Sequence, residues 1–96
     1  MAGSVRFRRR ADAMDILYFA WVRQKVGTGA ERVSPPPEIA DIAGLMGWLS
    51  TRSPGHAAAF ANPKQIRAAV NQEFCAPDRA IRAGDEIAFF PPVTGG

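Results

Sequence analysis

The residues able to act as a nucleophile and its base are few: one cysteine, Cys75, and one histidine, His56. A reactive thiol needs a base that is itself oriented by a third group, and nothing near either residue in the sequence supplies one. Cys75 is read as a core residue, a common fate of unpaired cysteine. His56 follows Pro54 and Gly55 at a helix start and is read as a surface residue. One cysteine and one histidine also fall short of a disulfide framework or a four-ligand zinc site, so no metal is expected and a reducing cytoplasm is the expected compartment. Asp85 and Glu86 are adjacent carboxylates at a turn; successive strand residues face opposite ways, so they are read as turn-forming rather than as a proton-sharing pair. Gly27 and Gly29 lack the helix and lysine that a phosphate-cradling loop uses. No basic stripe joins Trp21 to Trp48, which are assigned to core or interface rather than to base stacking.

The chemistry is concentrated at the end, FFPPVTGG, Phe89 to Gly96. A strand runs into Pro91 and Pro92, which stiffen the exit, and Val93, Thr94, Gly95 and Gly96 offer nothing that packs a core. A frayed terminus would have this composition too. Two terminal glycines add a specific capability: without a β-carbon they thread a slot too narrow for other residues, and nothing obstructs attack on, or by, the Gly96 carboxylate. Extended, Pro91 to Gly96 reaches about 20 Å, enough to enter a partner's active site while the body stays outside. Phe89 and Phe90 precede the exit. Strand alternation sends one ring inward and the other outward, and the outward ring is expected to anchor a partner.

The elements that must present this tail are legible from pattern. Asp15 to Val22, DILYFAWV, is rich in aromatic and branched residues and is read as the first strand, apolar on both faces. Ile16, Tyr18 and Ala20 fall on one face; Leu17, Phe19 and Trp21 fall on the other. Arg23 to Val26 is read as one helical turn closed by Gly27, and Glu31 to Ser34 as a short strand ended by three prolines. Asp41 stands at an N-cap position before Ile42, Leu45, Met46 and Leu49, the spacing of a buried helical stripe. Gly44 and Gly47 in that helix cost about 1 kcal/mol each relative to alanine, and their small size would let it approach the sheet closely. Ser53 to Gly55 stop the helix, and His56 to Phe60 forms a further turn. Ile66, Ala68 and Val70 alternate with Arg67, Ala69 and Asn71 as in a half-buried strand. A brief strand follows at Phe74 and Cys75, then a turn at Ala83 to Asp85 and a last strand, Glu86 to Phe90, ended by proline. The order implies an α+β domain in which one main helix crosses a mixed sheet of four or five strands, an order that fits the β-grasp, or ubiquitin-like, fold.

Charge placement removes a competing reading. The net charge of +3 and a pI near 9.8 suggest nucleic-acid binding, but Arg6, Arg8, Arg9 and Arg10 against Asp12 account for all of the excess. Eight basic and eight acidic side chains remain in the rest of the chain, so the body has no electrostatic reason to seek phosphates. Residues 1–13 have no hydrophobic period and are read as a disordered basic extension from an upstream start; residues 14–96 form the domain, with 91–96 its flexible tail. The longest apolar run, Ile16 to Val22, is too short for a membrane span or a secretion signal. Neither a nucleic acid nor a membrane is an expected partner.

Three segments carry a family resemblance: ILYFAWVRQKVG, AAVNQEF and AGDEIAFFPPVTGG. Their order and spacing across residues 14–96 resemble the MoaD family, the ubiquitin-like sulfur carriers that form the small subunit of molybdopterin synthase. The arginine-rich extension lies outside the family pattern, and Ser53 to Lys64 resembles it only loosely. The resemblance implies a protein that is no enzyme on its own and binds no cofactor. A MoeB-like adenylyltransferase would use ATP to adenylate Gly96, and sulfur would then displace AMP to leave a C-terminal thiocarboxylate. The tail, Phe89 to Gly95 included, would engage the MoaE-like large subunit, which holds the pterin precursor, in a heterotetramer. A sulfur carrier for thiazole synthesis and a ubiquitin-like modifier that conjugates through Gly96 are the alternatives, and FFPPVTGG favours the molybdopterin branch. A nucleic-acid module using Arg6 to Arg10 is a third class.

Overall fold

The computed structural model describes residues 13–92. Two readings, the basic extension and the reactive end formed by Val93, Thr94, Gly95 and Gly96, lie outside these residues. Ala13, assigned above to the extension, is described: its carbonyl accepts a hydrogen bond from Gly84 N at 2.8 Å.

Five strands form the sheet: β1 (Met14–Tyr18), β2 (Ala30–Val33), β3 (Arg67–Val70), β4 (Glu73–Cys75) and β5 (Glu86–Phe90). They lie in the order β2-β1-β5-β3-β4. β1 and β5 run parallel, and the other neighbours are antiparallel. The last strand in sequence is therefore the middle strand in space, the mixed-sheet arrangement expected of a β-grasp domain. Among the described residues, three helices join the strands, α1 (Ala20–Val26), α2 (Ile42–Leu49) and α3 (Pro54–Ala59), with a 3-10 turn at Pro63–Gln65.

The first strand is shorter than its composition suggests. β1 ends at Tyr18, and the apolar run continues as α1, entered through Ala20 at φ 54°. Both halves of DILYFAWV are apolar because one half fills a strand face and the other a helix face: Val22 is fully buried, and Trp21 and Val26 pack against the core. α1 starts three residues before the turn expected at Arg23, and Gly27, at φ 97°, closes it by donating its N–H to Arg23 O at 2.8 Å.

α2 follows the sequence pattern closely. Asp41 Oδ1 accepts from Gly44 N at 2.8 Å, and Ile42, Leu45, Met46 and Leu49 are the buried residues of the helix. The glycines do not set its distance from the sheet, however. A β-carbon on Gly47 would meet nothing within 4 Å, and one on Gly44 would meet its own cap, Asp41, and Ile39. The close approach is at Gly55 instead, where a β-carbon would collide with the Lys25 carbonyl oxygen. Ser53 caps α3 rather than only stopping α2: its Oγ accepts from His56 N at 3.1 Å.

One apolar core fills the space between the inner sheet face and the helices. Ile16, Tyr18, Ile87, Phe89 and Val70 from the strands meet Val22, Ile42, Leu45 and Leu49 from α1 and α2, with Phe60 after α3. Phe60 and Phe89 stand edge-to-face at 5.1 Å, a preferred aromatic geometry. Asn71 and Gln72, at φ 52° and 74°, make the two-residue turn between β3 and β4. Asn71 is stitched to the start of β5, donating its amide to Asp85 and accepting from Glu86 N, both at 3.0 Å.

Candidate functional site

The position from which the tail leaves is fixed by hydrogen bonding on both sides of β5. Phe89 pairs with Tyr18 of β1 and with Ala68 of β3, and Phe90 with Arg67. Phe19 N extends the ladder by donating to Phe89 O at 3.0 Å. Pro91 and Pro92 donate no further ladder bond, so pairing stops and the chain leaves from mid-sheet. Of the predicted site residues, Phe89, Phe90, Pro91 and Pro92 are described. Phe89 is fully buried, whereas Phe90, Pro91 and Pro92 are half-buried. Alternation therefore resolves the pair: Phe89 belongs to the core and Phe90 to the outer face.

Phe90 is accompanied there by rings that sequence reading did not assign to the site. Phe74 on β4 is 80% exposed, with its ring centroid 5.6 Å from that of Phe90. Phe19 is 48% exposed, and the β1–β5 register puts it one row beyond Tyr18, on the same face as Phe90. Phe19 and Phe74 are the large hydrophobic residues exposed among those described. With Phe90 they form an aromatic band on the outer face towards the end of β5, Phe74 standing level with Ala88 in the register. The signal for Phe19 was its placement opposite Tyr18; for Phe74, only the hairpin register reveals that it joins the band.

The other predicted residues separate. Cys75 and His56 make no common site. The Cys75 thiol donates to Ala68 O at 3.7 Å; burial pushes it up from its ordinary range, and this outweighs the nearby positive charge of Arg79. His56 corrects the surface reading: it is only 8% exposed, and Nδ1 lies 2.7 Å from Ser53 Oγ while Nε2 lies 2.7 Å from Glu31 Oε2. The partner that buries it, Glu31, is 25 residues away in sequence, so no local pattern announces the pair. Tyr18 donates its hydroxyl to the same Glu31 oxygen at 2.7 Å. Burial favours a raised Glu31 pKa, but hydrogen bonds from His56 and Tyr18, with the attraction of His56 and Arg52, outweigh it and hold the carboxyl below its ordinary value. Burial, reinforced by Glu31, drives the Tyr18 hydroxyl well above its usual value. This corner joins β1, β2 and α3, its polar groups hold one another, and it is read as structural.

Asp85 forms its turn as expected, accepting from Asn71 Nδ2 and, through its other oxygen, from Arg82 N at 2.8 Å. Trp21 and Trp48 pack on the core, and the Arg52 guanidinium covers Trp48 at 4.8 Å. Among the described residues, no group of three histidine, cysteine, aspartate or glutamate side chains is arranged to hold a metal ion.

Comparison with known proteins agrees with this geometry. The ThiS family model matches residues 16–96. The chain is 41% identical over 81 residues to the molybdopterin synthase sulfur carrier subunit of Escherichia coli (strain K12), covering 84% of this chain and 96% of that one. It is 37% identical over 86 residues to the human protein of the same name, covering 86% and 93% respectively. Among solved structures, SAMP1 from Haloferax volcanii superposes with a TM-score of 0.66 at 28% identity, covering 88% of this chain and 99% of that one. Fold and sequence thus converge, and the chain belongs to the ThiS family and, with the two relatives of that name, to the molybdopterin synthase sulfur carrier subunits.

Proposed function

We propose that this protein carries sulfur on the carboxyl group of Gly96 for molybdopterin synthesis. The observation that supports the reading most directly is the position of β5: a central strand, ending beside an exposed aromatic band, delivers the chain end to whatever docks on that band. A carboxylate is a poor electrophile, so activation comes first. The Gly96 carboxylate attacks ATP held by a MoeB-like adenylyltransferase, pyrophosphate leaves, and the mixed anhydride with AMP forms. A sulfur nucleophile then displaces AMP and leaves a thiocarboxylate. The sulfur is passed to the pterin precursor in the large, MoaE-like subunit, which supplies the acid, base and cationic groups that this chain lacks. The small subunit is a substrate arm and performs no catalysis alone. Two carriers sit at the ends of a large-subunit dimer.

The dependence on ATP suits a cytoplasmic protein, and among the described residues no helix is long and apolar enough to cross a membrane. The curated relatives described above are molybdopterin synthase subunits, which favours this branch over a thiazole carrier. The test is intact-mass analysis after incubation with ATP, a sulfur donor and the cognate activating enzyme. Exchange of one terminal oxygen for sulfur is expected. Failure to form either the adenylate or the thiocarboxylate, with every pathway enzyme present, would overturn the reading.

A further inference from the structure

Two arginines on the outer sheet face differ in one respect. Arg32, on β2, is paired: its Nε lies 2.9 Å from Asp15 Oδ1. Arg67, on β3, has no carboxylate within ion-pair distance among the described residues. Its Nη1 donates to the backbone carbonyls of Lys64 at 3.0 Å and Ile66 at 3.4 Å. The side chain is exposed and stands directly across from Phe90 in the β3–β5 register.

Arg67 also lines a pocket of about 260 Å³, shared with Ala68, Phe74, Cys75 and Phe90. Phe74 and Phe90 are its aromatic residues, and Arg67 is the one charged residue that lines it. A pocket of this composition favours an occupant that is apolar in the body and anionic at one end. A guanidinium fork matches a carboxylate in two parallel hydrogen bonds, and aromatic walls that exclude water strengthen such a pair.

We infer that the pocket between Phe74, Phe90 and Arg67 receives a carboxylate-bearing segment of the large subunit, with Arg67 as its counter-ion. The inference rests on the docking role proposed for the aromatic band. It divides the interface into two contributions: the rings provide most of the affinity, and Arg67 fixes orientation and selects partners carrying an acidic group at this position.

The test is titration of the purified cognate large subunit with the full-length carrier and its variants at low and high salt. Arg67→Glu is expected to raise Kd by about thirtyfold, and Arg67→Gln by about tenfold, with a flatter salt dependence in both. Arg67→Lys recovers part of the loss, because lysine keeps the charge but not the fork. Glutamine, like lysine, keeps an N–H donor for the Lys64 and Ile66 carbonyls but no charge, so recovery by lysine beyond glutamine separates charge pairing from local folding. Phe90→Asp serves as the control for the docking reading. If Phe90→Asp abolishes binding while Arg67→Glu leaves Kd and its salt dependence unchanged, the counter-ion role is overturned and the docking surface stands. If neither variant alters binding, the docking surface falls and the inference with it.

Discussion

Tyr18 and Phe19 are neighbours in sequence and end in opposite surroundings. Tyr18 points into a corner where its hydroxyl, the Glu31 carboxylate, the His56 ring and Ser53 are joined by contacts of 2.7 Å. Phe19 points outward, to the face of the half-buried Phe90, where Phe19 and Phe74 are left exposed. The corner is saturated: its polar groups already hold one another, and its contribution is to tie β1, β2 and α3 together. The outer band is unsaturated, and a surface left incomplete in the isolated chain is where a partner belongs. Aromatic content therefore does not distinguish structure from function here; the completeness of the local contacts does.

If this division is right, damage to the two regions separates stability from transfer. The largest expected effect is at the tail: deleting Gly96, or adding a residue after it, abolishes sulfur transfer and leaves the melting temperature of the domain unchanged. Transfer assay and calorimetry on the same preparation check both halves, and any surviving transfer would sink the tail mechanism. Next come the consecutive phenylalanines, whose roles should be reciprocal. Phe89→Ala, in the core, is expected to cost about 3–5 kcal/mol of folding stability. Phe90→Asp should cost little stability but weaken large-subunit binding by about 2 kcal/mol or more. Chemical denaturation and binding titration would reveal any exchange of the two outcomes, which would reverse the assignment of faces.

A smaller effect is expected in the saturated corner. Glu31→Ala leaves the Tyr18 hydroxyl and the His56 Nε2 without their acceptor, at a cost of about 2 kcal/mol. The pH dependence has a definite sign. Because the Glu31 carboxyl titrates below its ordinary value in the folded state, its contribution is complete above the ordinary glutamate range, about pH 4 to 5, and is lost as pH falls through the lower folded value. Glu31→Gln should therefore flatten the fall in stability on acidification, as measured by urea unfolding between neutral and acid pH. An unchanged slope would mean that the corner does not act as an ionised unit. The smallest effect belongs to Ala20→Gly. The αL region costs a residue with a β-carbon about 1–2 kcal/mol, so glycine should raise stability by up to about 1 kcal/mol, net of its extra chain entropy. A loss would indicate that the Ala20 methyl packs usefully where β1 becomes α1.

Much of this organisation was legible before any coordinates. The Asp41 cap and the buried stripe of α2 follow from local spacing, and the bounds of β5 from its alternation and the two prolines after it. These features depend on residues within a few positions of one another. The split of DILYFAWV into strand and helix was not legible, because a run apolar on both faces satisfies either geometry until Ala20 turns the chain. Nor was burial of His56, which depends on a carboxylate from another strand. The aromatic band was half legible: Phe90 is announced by the exit, whereas Phe19 and Phe74 join it only through strand order and register.

The placement of β5 also determines how the molecule bears load. Ladders to β1 and β3 hold β5 on both sides, so a pull along the strand strains many hydrogen bonds together instead of peeling them apart one after another. On the proposed function, a carrier threaded into one enzyme and withdrawn to visit the next would be tugged at that end in every cycle. Anchoring the chain end to the middle of the sheet would let the tether be drawn out while the domain stays folded.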